Sequence, residues 1–160
     1  MAIYMKYGDI KGSVTTGGFA DWIMLDSFSW GVARNVSLPH RGEDTREGAE
    51  PNLAEVVVTK RKEKASPQLW QEAVGGTFKT KTTIRFTTTT DGKVENYLEY
   101  ELTDTGLSSY SVGTGGRDDV PMESLTLNFA KVAWKYGAVD AKTNKTPIAV
   151  GWDLTQQAKM

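Results

Sequence analysis

Met122-Glu123-Ser124-Leu125-Thr126-Leu127-Asn128-Phe129-Ala130-Lys131-Val132-Ala133-Trp134-Lys135-Tyr136 is the stretch whose reading decides the fold. Its apolar residues fall first on odd positions (Leu125, Leu127, Phe129) and, beyond Lys131, on even ones (Val132, Trp134, Tyr136). Strand side chains alternate with period two, so this change of phase sends the later set to the opposite face. Either a bulge interrupts one strand at Ala130-Lys131, or two strands run together. With no Gly, Pro or turn cluster in the run, one long bulged strand is the expectation, about 45 Å at roughly 3.3 Å per residue. A bent strand of that length serves two packed sheets or turns the corner of a barrel. The fold class is therefore mainly β, a two-sheet β-barrel or sandwich, with this strand holding its halves together.

At 160 residues the chain reads as one domain over residues 1–160, large enough to bury about 70% of its unfolded surface without staples. A formal net charge of -1 gives no pull toward nucleic acid or an anionic membrane surface. The absence of cysteine excludes disulfides, thiolate metal sites and thiol nucleophiles. Met1 to Tyr7 lacks the uninterrupted apolar core of a signal peptide, and no apolar run approaches a membrane span. The expectation is synthesis in the cytoplasm, with any export by a route that uses no cleavable signal peptide and no membrane insertion.

Ile3, Met5 and Tyr7 alternate with Tyr4 and Lys6 as a first strand, and a second piece runs from Ile10 to Val14. Trp22 to Val32 reads as the next strand, setting Phe28, Trp30 and Val32 against Ser27, Ser29 and Gly31. One face is bulky, the other small and smooth. The small face reads as ordinary solvent or close packing, or as a wall kept clear for something passing along it.

Asn35 to Ala54 is a long loop without periodicity, carrying Arg41, Glu43, Asp44, Arg46, Glu47 and Glu50. Loops of that length are functional or disordered, and mixed charges point to pairing with another surface. The lone histidine, His40, lies here, so a metal site or a His-based triad is not expected.

After Val56-Val57-Val58, the run Lys60-Arg61-Lys62-Glu63-Lys64 lacks the interleaved aromatics of a nucleic-acid surface and reads as a solvated strand end. Ser66 to Gly75 is the one helix, with Ser66 as cap, Pro67 in its first turn and Gly75 or Gly76 as a left-handed stop. Its stripe of Leu69, Trp70, Ala73 and Val74 needs a sheet to dock on.

Phe78–Thr89 and Lys93–Thr103 form a hairpin about Asp91-Gly92. A two-residue turn would set charges against the core, so a three-residue loop, Thr90-Asp91-Gly92, is expected, placing Lys81 opposite Glu101. These charges read as a solvated strand face and not as a catalytic pair. Leu107–Val112 is a further strand. Gly113 to Asp119 is a hairpin loop and not a phosphate cradle, because a strand and not a helix follows. Gly137 to Thr146 is a polar loop, Ile148, Val150 and Trp152 a last strand, and Thr155 to Met160 a polar tail.

Assembled in order, these pieces resemble the Hcp family, the haemolysin-coregulated proteins of bacterial type VI secretion systems. The resemblance is carried by Phe28-Ser29-Trp30-Gly31, the Ser66-Pro67-x-Leu69 helix start, and Ser108-Ser109-Tyr110 leading to Gly115-Gly116. It continues through Glu123-x-Leu125-x-Leu127-x-Phe129-x-Lys131-Val132-x-Trp134-x-Tyr136 and Gly151-Trp152-Asp153. It implies a hexameric ring, rings stacked into a hollow tube, and as partners a contractile sheath, a VgrG spike and effectors that ride in the lumen. It places Ser27, Ser29 and Gly31 on or near the lumen wall. For Arg41, Glu43, Asp44, Arg46, Glu47 and Glu50 the expectation is ring stacking, although this loop is more charged than the family leads one to expect. A fused toxin domain after Trp152-Asp153 is not expected. Neither a cofactor nor catalytic residues are expected.

Two other classes compete. Five Trp and six Tyr would suit a carbohydrate-binding β-sandwich, but Trp30, Trp70 and Trp134 sit on apolar stripes and read as core or interface. A hydrolase needs two convergent acids at defined separation, and the sequence offers no such pair.

Overall fold

The computed structural model of the protein describes residues 1–37, 48–117, 119–137 and 148–160. One sheet contains β1 (Ala2–Tyr7), β2 (Ile23–Leu25), β7 (Thr80–Thr90), the first half of β8 (Lys93–Gly113), β10 (Lys131–Tyr136), β11 (Ile148–Asp153) and β12 (Ala158–Lys159). Their order is β12-β11-β10-β8-β7-β1-β2. The second sheet holds β3 (Ser27–Ser29), β6 (Val56–Arg61), β9 (Met122–Asn128) and the second half of β8. A ribbon of β4 (Val32–Ala33) and β5 (Asn52–Leu53) stands apart. Among the described residues the result is sandwich-like, with no closed barrel. Its core joins Met5, Ile23, Ile84 and Leu102 to Val56, Val58, Leu125 and Leu127.

The strand that passes unbroken through both sheets is β8, and the 122–136 run divides into β9 and β10 about Phe129-Ala130. The single bulged strand expected there is thus two strands, and Leu107–Val112 is no separate strand but the end of β8. Both halves of the run pair with β8, through Gly106↔Asn128 on one side of the break and Thr103↔Lys131 on the other. Asp104-Thr105 and Phe129-Ala130 turn this corner together, so the register is kept while both chains change phase. The buried sets step from Leu102 to Leu107 and from Phe129 to Val132. Asp104 turns at φ 53°, a left-handed conformation that Asp tolerates better than most residues. The Ala130 N–H donates to the Thr103 carbonyl, and the Ala130 carbonyl accepts from the Leu154 N–H, each at 2.9 Å.

The expected 22–32 strand is three short ones, because the chain crosses between sheets at Asp26: β2 pairs with β1, and β3 with β6. Residues 10–14 form no strand. Instead the segment they begin folds over β1, where Phe19 stacks on Tyr4 at 4.5 Å and Val14 joins them. The tail contributes β12, paired with the end of β11.

The hairpin turn has two residues, since Thr90 pairs with Lys93. Asp91 (φ 50°) and Gly92 (φ 75°) adopt the positive angles of the turn that matches strand twist. Core residues stay inward because the register slips between Phe86↔Leu98 and Thr87↔Asn96, absorbing one residue on β8. Glu101 accordingly faces Thr83, not Lys81.

Helix α1 spans Ser66–Gly75 with Ala65 as its cap and an extended Gly76 beyond it, so neither the Ser66 cap nor the left-handed stop forms. Leu69 is buried, but Trp70 is 55% and Val74 68% exposed, so only part of the expected stripe docks. Ser66 is instead buried in a polar cluster. Its hydroxyl donates to Glu123 Oε1 (2.5 Å) and accepts from Lys60 Nζ (3.1 Å) and from the Glu63 N–H (2.9 Å). Lys60, expected at a solvated strand end, is wholly buried and lies 3.4 Å from Glu123 Oε2 and 3.7 Å from Glu63. The alternation of β6 explains this: Val56, Val58 and Lys60 share its inward face.

Truncating one partner of such a pair leaves a buried charge uncompensated. Lys60→Ala should therefore lower the unfolding free energy by about 3–5 kcal/mol in urea titration, and Lys60→Met combined with Glu123→Leu should recover most of the loss. Burial, and then the Glu72 carboxylate, push the Tyr7 phenol up to about 12. An unfolded tyrosine ionises near 10, so between these values the unfolded chain holds fewer protons and stability falls as pH rises. Tyr7→Phe should flatten the loss of stability between about pH 10 and 12, read by thermal melts across that range.

Candidate functional site

The outward face of the second sheet is built almost wholly from small, uncharged side chains. Along β3 the alternation turns Phe28 toward the core, where its ring lies 5.2 Å from Phe86 and 4.9 Å from Tyr100. Ser27 and Ser29 are left exposed, as is Gly31 just beyond the strand. Cross-strand pairing extends this face in two rows over four strands. One row is Ser27, Thr59, Ser124 and Ser111; the other is Ser29, Val57, Thr126 and Ser109. Several hydroxyls satisfy one another: Ser27 and Thr59 share a hydrogen bond, and Ser109 donates to Thr126 at 2.7 Å. At the edge Ser108 bonds Glu55. Ser109 joins the face only because β8 carries an extra residue at Ser108. The sequence singled out the β3 residues and missed their neighbours on β6, β8 and β9. The signal was present in Ser124 and Thr126, which alternate with Glu123, Leu125 and Leu127.

Charges are concentrated on the outer face of the first sheet. Glu99, 3% exposed, takes the Arg85 guanidinium at 2.6 Å and Lys135 at 3.8 Å. Arg85 also lies 5.2 Å from the centre of the Trp22 ring. Hydrogen bonds from Thr155, together with the Lys131 charge, hold the Asp153 carboxyl below its usual range against the opposing effect of burial. Glu99, Glu123 and Asp153 are thus each held by a cation, an arrangement of structural pairs.

At the end of the sandwich where β6 begins lies an apolar groove of about 540 Å³, walled by Trp30, Leu53, Val132, Trp134, Val150 and Trp152. The Trp30 indole N–H is already donated to the Ala54 carbonyl at 2.9 Å. Arg34 is the one charged side chain among the described lining residues. A sugar platform needs polar groups placed around its aromatic rings, and this wall is poor in them.

Arg41, Glu43, Asp44, Arg46 and Glu47, with His40, lie outside the described residues. Glu50 is described and exposed. The loop's feet are joined by a Val36↔Gly48 bridge and by the Ala49 N–H donated to the Asn35 carbonyl (2.8 Å). Among the described residues no three His, Cys, Asp or Glu side chains converge as metal ligands.

Residues 4–136 match the family described as "Type VI secretion system effector, Hcp". The chain is 30% identical to protein hcp1 of Pseudomonas aeruginosa, covering 98% of this chain and 97% of that one. Among solved structures it is similar to a type six secretion system protein, at 25% identity and a TM-score of 0.84, with 99% of each chain covered. It shares its fold with a type VI secretion system effector from Yersinia pestis (16% identity, TM-score 0.72, 94% of this chain and 98% of that one). Hcp1 of Salmonella typhimurium is similar in fold too, at 18% identity and a TM-score of 0.72, with 100% of each chain covered. The chain belongs to the Hcp family of type VI secretion system proteins.

Proposed function

We propose that the protein is a tube subunit whose six copies close into a ring, whose rings stack, and whose second-sheet outer face lines the bore. The observation that carries this reading is the pair of four-residue rows of small, uncharged side chains that crosses all four strands, with Arg61 and Glu55 only at its borders. A passage for varied cargo needs a wall without pockets or fixed charges, because either would hold some cargo too tightly. Four strands about 4.8 Å apart span roughly 19 Å, so six copies with strands along the bore enclose a channel about 37 Å across. The partners are a sheath outside, a VgrG spike at the tip and effectors within. Leaving through that machine, the protein uses no cleavable signal peptide. Its role is structural and not catalytic.

Light scattering and electron micrographs of the purified protein should show rings of six copies; a monomer at every concentration would overturn the reading. Ser29→Gln should leave the ring intact, with unfolding free energy within about 0.5 kcal/mol of wild type, while reducing co-purification of an effector. Unchanged retention would take Ser29 off the wall.

The charged 35–54 loop is the element we assign to ring stacking. Each exposed pair contributes at most about 1 kcal/mol, so six copies acting together matter more than one bridge. With a Debye length of about 8 Å at physiological salt, stacking should weaken as salt rises while rings persist. Arg41→Glu with Arg46→Glu should shorten tubes in the same way. Sedimentation across a salt series reads both effects, and identical tube lengths throughout would leave the loop a solvated insertion.

A further inference from the structure

Two apolar surfaces of opposite shape lie at opposite ends of β6. The groove is at its start, where the Trp30 indole N–H bonds the Ala54 carbonyl. Helix α1 begins at its other end, where Lys60 holds Ser66. The groove is concave, with three indoles in its wall and Val150 48% exposed on its rim. The helix is convex and presents Trp70 and Val74, one turn apart and both more than half exposed. Their polar groups are complementary as well. The last turn of the helix carries no basic residue, so the negative end of its dipole and its final carbonyls have no cation of their own. The groove offers Arg34, which forms no ion pair among the described residues.

We propose that the groove of one copy receives the Trp70–Val74 face of the next copy, with Arg34 set against the C-terminal end of the incoming helix. This rests on the tube reading and names the surfaces that join its subunits. Because the two surfaces differ, the contact is head to tail, the kind that closes into a ring or runs on along an axis. A tryptophan entering an aromatic socket is the side chain that most often dominates such contacts. Within one copy the two surfaces cannot meet, because the length of β6 separates them.

Both surfaces are exposed, so each can be altered without disturbing the core. Trp70→Ser with Val74→Ser removes the knob; Val150→Asp spoils the socket. Each variant alone, shown folded by circular dichroism, should need a concentration on the order of tenfold higher to assemble in light scattering. Mixed in equal amounts, the two should form a two-copy species, since the knob of one and the socket of the other are intact. Variants that assemble like wild type, or a mixture that yields only single copies, would overturn this contact and leave the ring reading standing. A wild type that never assembles would overturn both.

Discussion

Every strand of this protein obeys the two-residue alternation of side chains, and the architecture depends on where that alternation is allowed to change phase. At Asp104-Thr105 and Phe129-Ala130 two paired chains change phase at one place, so neither loses register. One ladder of hydrogen bonds thereby passes from the first sheet to the second. Without that corner, continuing β8 in phase would turn Leu107 outward. Besides a slip against β7 at the corner itself, between Thr82↔Leu102 and Thr80↔Thr105, two further slips on the same strand, near Tyr97 and at Ser108, keep its apolar residues on the core side. The long strand is in this sense four in-phase segments, divided near Tyr97, at the corner and at Ser108.

The two sheets differ in width, and the apolar groove follows from that difference. Among the described residues seven strands form the first sheet and four the second, so the second does not cover the inner face of β10 and β11. Tyr100, stacked on Trp134 at 5.9 Å and edge-on to Trp30 at 5.7 Å, carries the aromatic packing from the core out to that uncovered end. The opposite end is closed differently. There Lys60, Glu123 and Ser66 clamp the helix start to β6 and β9. Ion pairs of this kind add little net stability against an apolar alternative but are costly to break in half. They also specify geometry, since only one seating of Ser66 satisfies all three groups.

Charge is distributed just as unevenly. The first sheet's outer face carries Arg85, Glu99, Lys135 and Glu101 as one chain of ion pairs, with Lys131 and Asp153 as a separate pair. The two central rows of the second sheet's outer face carry instead hydroxyls that bond one another, with Arg61 at their border. The two faces thus offer neighbours different chemistry, one suited to polar contact and the other to the absence of specific contact.

Much of this was legible in the chain itself. The phase change in residues 122–136, the alternation of Phe28 and Trp30 with Ser27, Ser29 and Gly31, the extent of the helix and the existence of the 80–103 hairpin all depend on spacing between near neighbours. Spacing of that kind is a property of the backbone and survives without knowledge of partners. What the tertiary structure decided was pairing between distant segments. Whether 122–136 was one strand or two depended on β8 turning at the same place. The two-residue turn at Asp91-Gly92 became possible only because a bulge six residues away restored the register. Ser66 left the helix cap because Glu123 and Lys60 offered stronger partners, and Lys60 left solvent because Glu123 faced it across the pair of strands. The hydroxyl face was visible one strand at a time, but as a surface it exists only once β3, β6, β9 and β8 lie side by side. Alternation along a chain is local, whereas the choice of neighbour is made by the summed burial of all strands at once.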